Sequence, residues 1–179
     1  KKFLFGFEES CGYLRGTHCR DKDAVVASML FAEMVCYYNQ KGVGIYKRLT
    51  EIYEKYGYVF DTNVSIKYEG LNAMKEMNQA VNKMKGVTLT DIGGLKVVAV
   101  RDYSTCQRTD DKGNKTQIDS AKTNAVYYEL EGGSFICIRP SGTEPKLKVY
   151  YSLKCENEGC AKPLFEKVRA HFEQVMKNV

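Results

Sequence analysis

The stretch AVYYELEGGSFICIRPSGTEPKLKVYYSL, residues 125–153, decides the fold of this chain. Two apolar runs, residues 125–130 and 134–138, flank Glu131-Gly132-Gly133, a sequence typical of the turn in a β-hairpin. Residues 147–153 then alternate between apolar and polar positions, with the period of two that a strand with one buried face requires. Together these segments predict three consecutive strands of a largely antiparallel sheet.

Further elements flank these strands on both sides. Residues 71–85 carry apolar side chains at helical spacing, and Pro163 is expected to open a last helix. Residues 95–100, LKVVAV, predict a fourth strand. Because the strands lie grouped between helices, the pattern predicts an α+β fold: a four-stranded, largely antiparallel sheet with helices packed on it.

The first third of the chain has a different pattern. Residues 3–7, FLFGF, predict a short buried strand, and the polar loop after it leads to a helix with Asp21 or Asp23 as its N-cap. A second helix follows, and then the pattern becomes extended. This change predicts a domain boundary that divides residues 1–57 from residues 58–179.

Composition excludes several classes of protein. The chain has 179 residues, of which 44% are hydrophobic and 27% charged, so it can build a globular core. Its net charge of +5 suits anionic ligands but is too small and too dispersed for a nucleic-acid binder. No apolar run approaches the roughly 20 residues of a membrane span. The seven cysteines are an odd number, which indicates free thiols and a reducing, cytoplasmic setting.

The loop Arg139-Pro140-Ser141-Gly142-Thr143-Glu144-Pro145 is a candidate anion-binding site between two predicted strands. Its prolines and glycine favour a preorganised path. Arg139 offers a planar fork of donors that matches phosphate. Ser141 and Thr143 offer hydroxyl groups, and Gly142 lets backbone N–H groups approach an anion. Residue chemistry alone leaves open an ordinary tight turn whose arginine pairs with a carboxylate.

Two other polar segments are candidates. Glu8 and Glu9, followed by Ser10, can accept hydrogen bonds from sugar hydroxyls, although a solvated acidic turn has the same composition. The segment HCRDKD, residues 18–23, can bind phosphate or carry a proton-transferring lysine at a helix start. The alternative for this segment is a helix-capping cluster.

Four motifs in order carry a resemblance to a known family. They are GFEESCG (6–12), HCRDKD (18–23), IGGLKVVAVRDY (92–103) and RPSGTEPKLKVYY (139–151). Together they resemble the C-terminal portion of the α-D-phosphohexomutase superfamily, most closely its phosphoglucomutases and phosphomannomutases. Residues 1–57 resemble the last part of the α/β third domain, which binds the sugar, and residues 58–179 resemble the phosphate-binding fourth domain.

The resemblance implies an intramolecular phosphotransferase. In that family a phosphoserine donates its phosphoryl group to a hexose phosphate, and a hexose 1,6-bisphosphate intermediate returns the other phosphoryl group. Hexose 1-phosphate and hexose 6-phosphate are thereby interconverted, and Mg²⁺ held by aspartates neutralises phosphoryl charge. Glucose, mannose and pentose phosphates all remain open as substrates of this chain's family branch.

The resemblance also assigns roles to residues. It implies that Glu8 and Ser10 bind sugar hydroxyls and that Lys22 is a cleft residue that contacts substrate and transfers a proton. It further implies a loop that clamps the phosphate that is not being transferred, made of Arg139, Ser141, Gly142 and Thr143.

Two motifs of the family do not occur in this sequence. It contains neither a phosphoserine loop nor an aspartate-rich metal loop, and the resemblance implies that both lie upstream of Lys1. We therefore expect the chain to bind no metal, to depend on upstream domains as its partners, and to lack mutase activity alone. The alternative function is a non-catalytic module that binds sugar phosphates. An RNA-binding α+β domain is a weaker alternative, because no glycine-aromatic strand motif is present.

Overall fold

The computed structural model describes residues 3–8 and 11–178. The chain forms two compact units, Lys1–Lys55 and Tyr56–Val179, and each is described by itself. Across the described residues, no helix combines the length and the apolar character needed to cross a membrane.

The first unit consists of one hairpin and two helices. Strand β1 (Phe5–Glu8) pairs antiparallel with β2 (Gly12–Arg15), and helices α1 (Ala24–Gln40) and α2 (Ile45–Tyr56) follow. Asp23 is the N-cap of α1, because its side chain accepts the backbone N–H groups of the first turn. The first strand was expected to be buried, and this was wrong: Phe7 is 75% exposed.

The second unit is built on one antiparallel sheet. Its strands are β3 (Tyr58–Lys67), β4 (Asp91–Ile92), β5 (Leu95–Asp102), β6 (Gln107–Asp110), β7 (Lys115–Gln117), β8 (Val126–Leu130), β9 (Phe135–Pro140) and β10 (Lys146–Cys155). Their order is β3-β10-β9-β8-β5-β6-β7, with β4 beside β5. Helices α3 (Ala73–Lys85) and α4 (Glu158–Asn178) complete the unit.

The predicted α+β class is confirmed, but the sheet has more strands than the four expected. The additional strands are β3, β4, β6 and β7. The longest of them, β3, pairs with β10 along its whole length, from Tyr58 opposite Cys155 to Lys67 opposite Lys146. Pro163 was expected to open the last helix, yet α4 begins at Glu158. Pro163 is the sixth residue of α4, and the helix continues through it although the proline cannot donate a backbone hydrogen bond.

Both helices of the second unit pack on one face of the sheet. Alternate residues of β8, β9 and β10 are buried there, and α3 and α4 add their own apolar faces to the same core. Tyr128 of β8 lies edge-on to Phe172 of α4, with ring centroids 5.6 Å apart. Its hydroxyl donates a hydrogen bond of 3.0 Å to the carbonyl oxygen of Met84, one of the last residues of α3. Tyr128 therefore joins both helices to the sheet.

An ion-pair network occupies the other face. Glu129 of β8 points away from the core, and Arg108 of β6 donates two hydrogen bonds of 2.8 Å to its carboxylate. Arg101 of β5 donates a third. The hydrogen bonds and charge of Arg108 and Arg101 lower the pKa of Glu129, although partial burial opposes the shift. The network therefore links three neighbouring strands.

The turn between β4 and β5 lies directly against α4. Gly93 has φ +62°, and a Cβ atom added there would lie 2.6 Å from Cα of Val168. Its N–H donates a hydrogen bond of 2.7 Å to Nδ1 of His171. Only glycine fits both the backbone conformation and the space at this contact.

We predict that Gly93→Ala destabilises the fold by more than about 2 kcal/mol, because it combines left-handed strain with a clash against backbone atoms. Gly132→Ala is the matched control, since Gly132 has φ +69° and no atom within 4 Å of an added Cβ. Denaturant unfolding of both variants measures the difference. Equal losses of unfolding free energy in the two variants would show that the contact of Gly93 with α4 does not contribute to stability.

We predict that Glu129→Gln loses about 1–2 kcal/mol of unfolding free energy at neutral pH, where the carboxylate is ionised. Because the pKa of Glu129 is lowered in the folded state, its contribution exists above the unfolded pKa of about 4.3 and is lost as pH falls through the folded value. The difference in unfolding free energy between wild type and variant should therefore become smaller below about pH 4. Unfolding titrations across pH test this, with exposed Asp119→Asn as control; a gap independent of pH would contradict it.

Candidate functional site

The β1–β2 hairpin carries the first group of candidate residues. Glu8 is the last residue of β1 and lies opposite Gly12 of β2. Its side chain is 53% exposed, so the carboxylate is accessible to a ligand. Ser10, which was predicted to bind sugar together with Glu8, lies outside the described residues.

Lys22 reaches from the loop before α1 to this hairpin. Its Nζ lies 3.5 Å from Oε1 of Glu8 and 2.9 Å from Oδ1 of Asp21. The hydrogen bond and charge of Asp21, followed by the charge of Glu8, raise the pKa of Lys22. Its ammonium group is therefore held in the charged form at neutral pH. This suits a cationic donor to phosphate or hydroxyl oxygens, whereas a general base would need a lowered pKa.

Gly12 gives Lys22 the space to follow this path. A Cβ atom at Gly12 would lie 2.3 Å from Cδ of Lys22 and 3.3 Å from Oε2 of Glu8. The aliphatic part of the Lys22 side chain thus crosses β2 at Gly12, which has no side chain. Sequence reasoning did not find this role, although a glycine directly after the candidate sugar loop was a visible signal.

The segment 18–23 also contains the cap of α1. Oδ1 of Asp23 accepts hydrogen bonds from the N–H groups of Val25 and Val26, at 2.9 and 3.1 Å. The other carboxylate oxygen lies 2.7 Å from Nε2 of His18. The hydrogen bond with His18 and those with the backbone lower the pKa of Asp23. Capping, the alternative considered for this segment, therefore accounts for Asp23, while Asp21 pairs with Lys22.

The second group of candidates lies at the end of the β9–β10 hairpin. Arg139 is the penultimate residue of β9 and its side chain is exposed. It stands directly opposite Lys148 of β10, and directly opposed residues of an antiparallel pair project from the same face. Within residues 3–8 and 11–178, no carboxylate lies within ion-pair distance of Arg139. The alternative considered for this loop was a tight turn in which Arg139 pairs with a carboxylate. Within the described residues, the loop does not form this ion pair.

Ser141 organises the loop that connects the two strands. Its backbone N–H donates a hydrogen bond of 2.8 Å to the carbonyl oxygen of Lys146, which closes the loop. Its Oγ accepts long hydrogen bonds from the N–H groups of Thr143 and Glu144, at 3.4 and 3.3 Å. Gly142 faces open space, because an added Cβ would meet no atom within 4 Å. The loop thus presents two hydroxyl-bearing residues and an open backbone segment beside Arg139.

The structure brings the predicted residues together in two groups, each within its own unit. Glu8 and Lys22 form the first, and the loop from Arg139 to Thr143 forms the second. From the sequence, Lys148 was not included among the candidate phosphate-binding residues, because strand alternation alone did not show towards which face of the sheet its side chain points. The hairpin register supplies that information.

Comparisons with known proteins match two separate stretches of the chain. The family described as "Phosphoglucomutase/phosphomannomutase, alpha/beta/alpha domain III" matches residues 1–56, and the family "Phosphoglucomutase/phosphomannomutase, C-terminal domain" matches residues 72–170. The solved open form of pp63/parafusin, a phosphoglucomutase from Paramecium, superimposes with a TM-score of 0.51 at 15% identity, over 90% of this chain and 29% of that chain. At this identity the superposition supports the fold alone.

Curated relatives are similar at higher identity. A phosphoglucomutase of Staphylococcus aureus (strain bovine RF122 / ET3-1) is 39% identical over 158 residues, which are 88% of this chain and 28% of the relative. A phosphoglucomutase of Staphylococcus haemolyticus is 36% identical over 157 residues, which are 88% of this chain and 29% of the relative. The chain thus spans less than a third of the length of these relatives. Because the two family matches cover most of its residues, this chain belongs to the phosphoglucomutase/phosphomannomutase family.

Proposed function

We propose that this chain is the substrate-holding C-terminal part of a phosphohexomutase that interconverts hexose 1-phosphate and hexose 6-phosphate through a hexose 1,6-bisphosphate. In this proposal residues 1–57 are the end of the sugar-binding third domain and residues 58–179 are the phosphate-binding fourth domain. The observation that carries it is the cation pair of Arg139 and Lys148, opposite each other beside the Ser141 loop.

The phosphate end of the substrate would lie at this pair. A phosphate monoester carries nearly two negative charges at neutral pH, and two cations on one sheet face balance them. The guanidinium of Arg139 can donate two parallel hydrogen bonds, while the ammonium of Lys148 contributes a point charge. The hydroxyls of Ser141 and Thr143 and the open backbone at Gly142 supply further donors.

The sugar end would lie at the β1–β2 hairpin. The half-exposed carboxylate of Glu8 accepts hydrogen bonds from hydroxyl groups, and the proposed role of Ser10 is to add a hydroxyl contact. The protonated Lys22 beside Glu8 donates hydrogen bonds and is charged correctly to hold a phosphoryl oxygen or to protonate one. We therefore propose Lys22 as a donor in catalysis and not as a base.

Mg²⁺ and the phosphoserine belong to upstream domains in this proposal. Among the described residues, the one cluster with the geometry of a metal site is His18, Cys19 and Asp23. Its imidazole and thiol are not the oxygen ligands that Mg²⁺ prefers, so these residues do not fit Mg²⁺ and no step of this chain depends on it. A cytoplasmic location is part of the proposal, and the seven free thiols support it.

We predict that Arg139→Ala weakens binding of glucose 1-phosphate and inorganic phosphate by about tenfold or more, because one charge-assisted bidentate contact is lost. NMR titration of the labelled chain measures this through the amide shifts of residues 139–143. Lys112→Ala, which removes the same charge from the exposed β6–β7 turn, is the matched control. Unchanged affinity in Arg139→Ala would refute the phosphate clamp.

The same titration separates the two ends of the substrate. Shifts at Glu8 and Lys22 should appear with either sugar phosphate and be absent with inorganic phosphate, because only the sugar phosphates carry hydroxyl groups. Sugar-phosphate shifts confined to residues 139–143 would contradict the sugar-binding role of the hairpin.

We also predict that the purified chain has no mutase activity, since it contains no phosphoserine loop. A coupled assay of glucose 6-phosphate formation from glucose 1-phosphate tests this, with an Arg139→Ala preparation as the control for contaminating host enzyme. Turnover that scales with wild-type protein and falls in the variant would overturn it. A full-length parent that also lacks turnover would instead favour the non-catalytic sugar-phosphate-binding module.

A further inference from the structure

We propose that His18, Cys19 and Asp23 form a binding site for a transition-metal ion of intermediate softness, and that Zn²⁺ is the ion it fits. The site lies in the loop between β2 and α1. Its three side chains offer an imidazole nitrogen, a thiol sulfur and a carboxylate oxygen, all within 4.8 Å of one another. This is a mixed set of donors that Zn²⁺ accepts and that Mg²⁺ and Ca²⁺ do not.

The distance between the Cys19 and His18 ligand atoms matches tetrahedral coordination. Sγ of Cys19 lies 3.6 Å from Nε2 of His18. Typical Zn–S and Zn–N bonds of about 2.3 and 2.05 Å, at a tetrahedral angle, place the two ligand atoms about 3.6 Å apart. Oδ2 of Asp23 lies 2.7 Å from the same Nε2. This pair must open to about 3.3 Å to admit the ion, which then replaces the hydrogen bond between them.

The carboxylate is already oriented for this role. Oδ1 of Asp23 accepts the two N–H groups of the helix cap, so Oδ2 is left to face His18. The backbone N–H of Asp23 donates a hydrogen bond of 2.7 Å to the carbonyl oxygen of Tyr13, which fixes the residue to β2. Ligands held by such neighbouring contacts lose little freedom when a metal binds.

The charge balance also favours a divalent ion. The thiol of Cys19 donates to the carbonyl oxygen of Asp21 at 3.2 Å; Zn²⁺ would displace that proton to solvent and bind the thiolate. Thiolate and carboxylate together neutralise the ion, and neutral His18 adds no charge. Three protein ligands leave the fourth position for water.

Coordination would also immobilise the segment that bears Lys22. Cys19 and Asp23 flank residues 20–22, so an ion held by both closes a short loop around them.

The other histidine, His171, does not compete in the described structure, because its Nδ1 accepts the N–H of Gly93. The metal proposal stands on the three donors alone and does not require the proposed mutase function.

The experiment is a Co²⁺ titration of the reduced 179-residue chain, followed by displacement with Zn²⁺. Binding at this site should give the near-ultraviolet thiolate-to-cobalt charge-transfer band and the intense visible bands of tetrahedral Co²⁺, saturating at one ion per chain. Cys19→Ser should abolish the charge-transfer band. Asp23→Asn, which keeps a capping side chain, should weaken affinity by about tenfold or more.

Cys36→Ser is the matched control, because Cys36 is an exposed thiol of α1 in the same unit, and it should leave the spectrum unchanged. Far-ultraviolet circular dichroism checks that each variant keeps its helices. The proposal is overturned if no charge-transfer band appears with millimolar Co²⁺, if the band survives in Cys19→Ser, or if Cys36→Ser removes it.

Discussion

The pairing of β10 with a strand on each side is the constraint on which the second unit depends. β10 is ten residues long, and β3 pairs with all of them while β9 pairs with six. Its alternate residues Leu147, Val149, Tyr151 and Leu153 are all buried against α3 and α4. A register slip of one residue would expose all four and bury Lys148, Tyr150 and Ser152 in their place, so the register is strongly fixed. The same register puts Lys148 opposite Arg139, and the core thereby determines the spacing of the cations.

The candidate residues of the first unit depend on a different kind of interaction. Neither α1 nor α2 has a buried residue, so no closed core of described residues holds this unit together. Glu8, Lys22 and Asp21 are held by one another's charges and by the backbone path that Gly12 permits. Exposed ion pairs contribute little to stability because water competes for the same groups. Their arrangement therefore contributes little to folding, and ligand recognition is the role proposed for it.

The sequence predicted the strands of the sheet centre, which carry apolar side chains, and missed the polar strands at one edge. β10 follows from its period of two, and β8 and β9 follow from the apolar segments that flank a turn sequence. β6 and β7 have polar sequences, QRTD and KTQ, and form through backbone pairing at the sheet edge, which leaves no hydrophobic period. The Arg139 loop could be selected from residue chemistry alone. Lys148 could not, because its side depends on the register of the hairpin. The approach of His18 to Asp23 depends on how the loop turns, and spacing does not encode that.

The internal hydrogen bonds of the Ser141 loop bear on how it can bind an anion. At 3.3 and 3.4 Å, the two bonds that Oγ of Ser141 accepts are longer than the usual 2.9–3.0 Å for N–H donors. Hydrogen bonds to a phosphate oxygen are charge-assisted, shorter, and roughly twice as strong as neutral ones. A phosphate beside Arg139 therefore needs only to replace a weak neutral acceptor with a charged one. Both bonds use acceptor lone pairs of Ser141 Oγ, so its O–H group can donate to the same anion even while they persist. In the proposed phosphate-binding role, the loop would transfer these donors to the anion without unfolding, because the bond from Ser141 N–H to the carbonyl oxygen of Lys146, which closes the loop, is not involved.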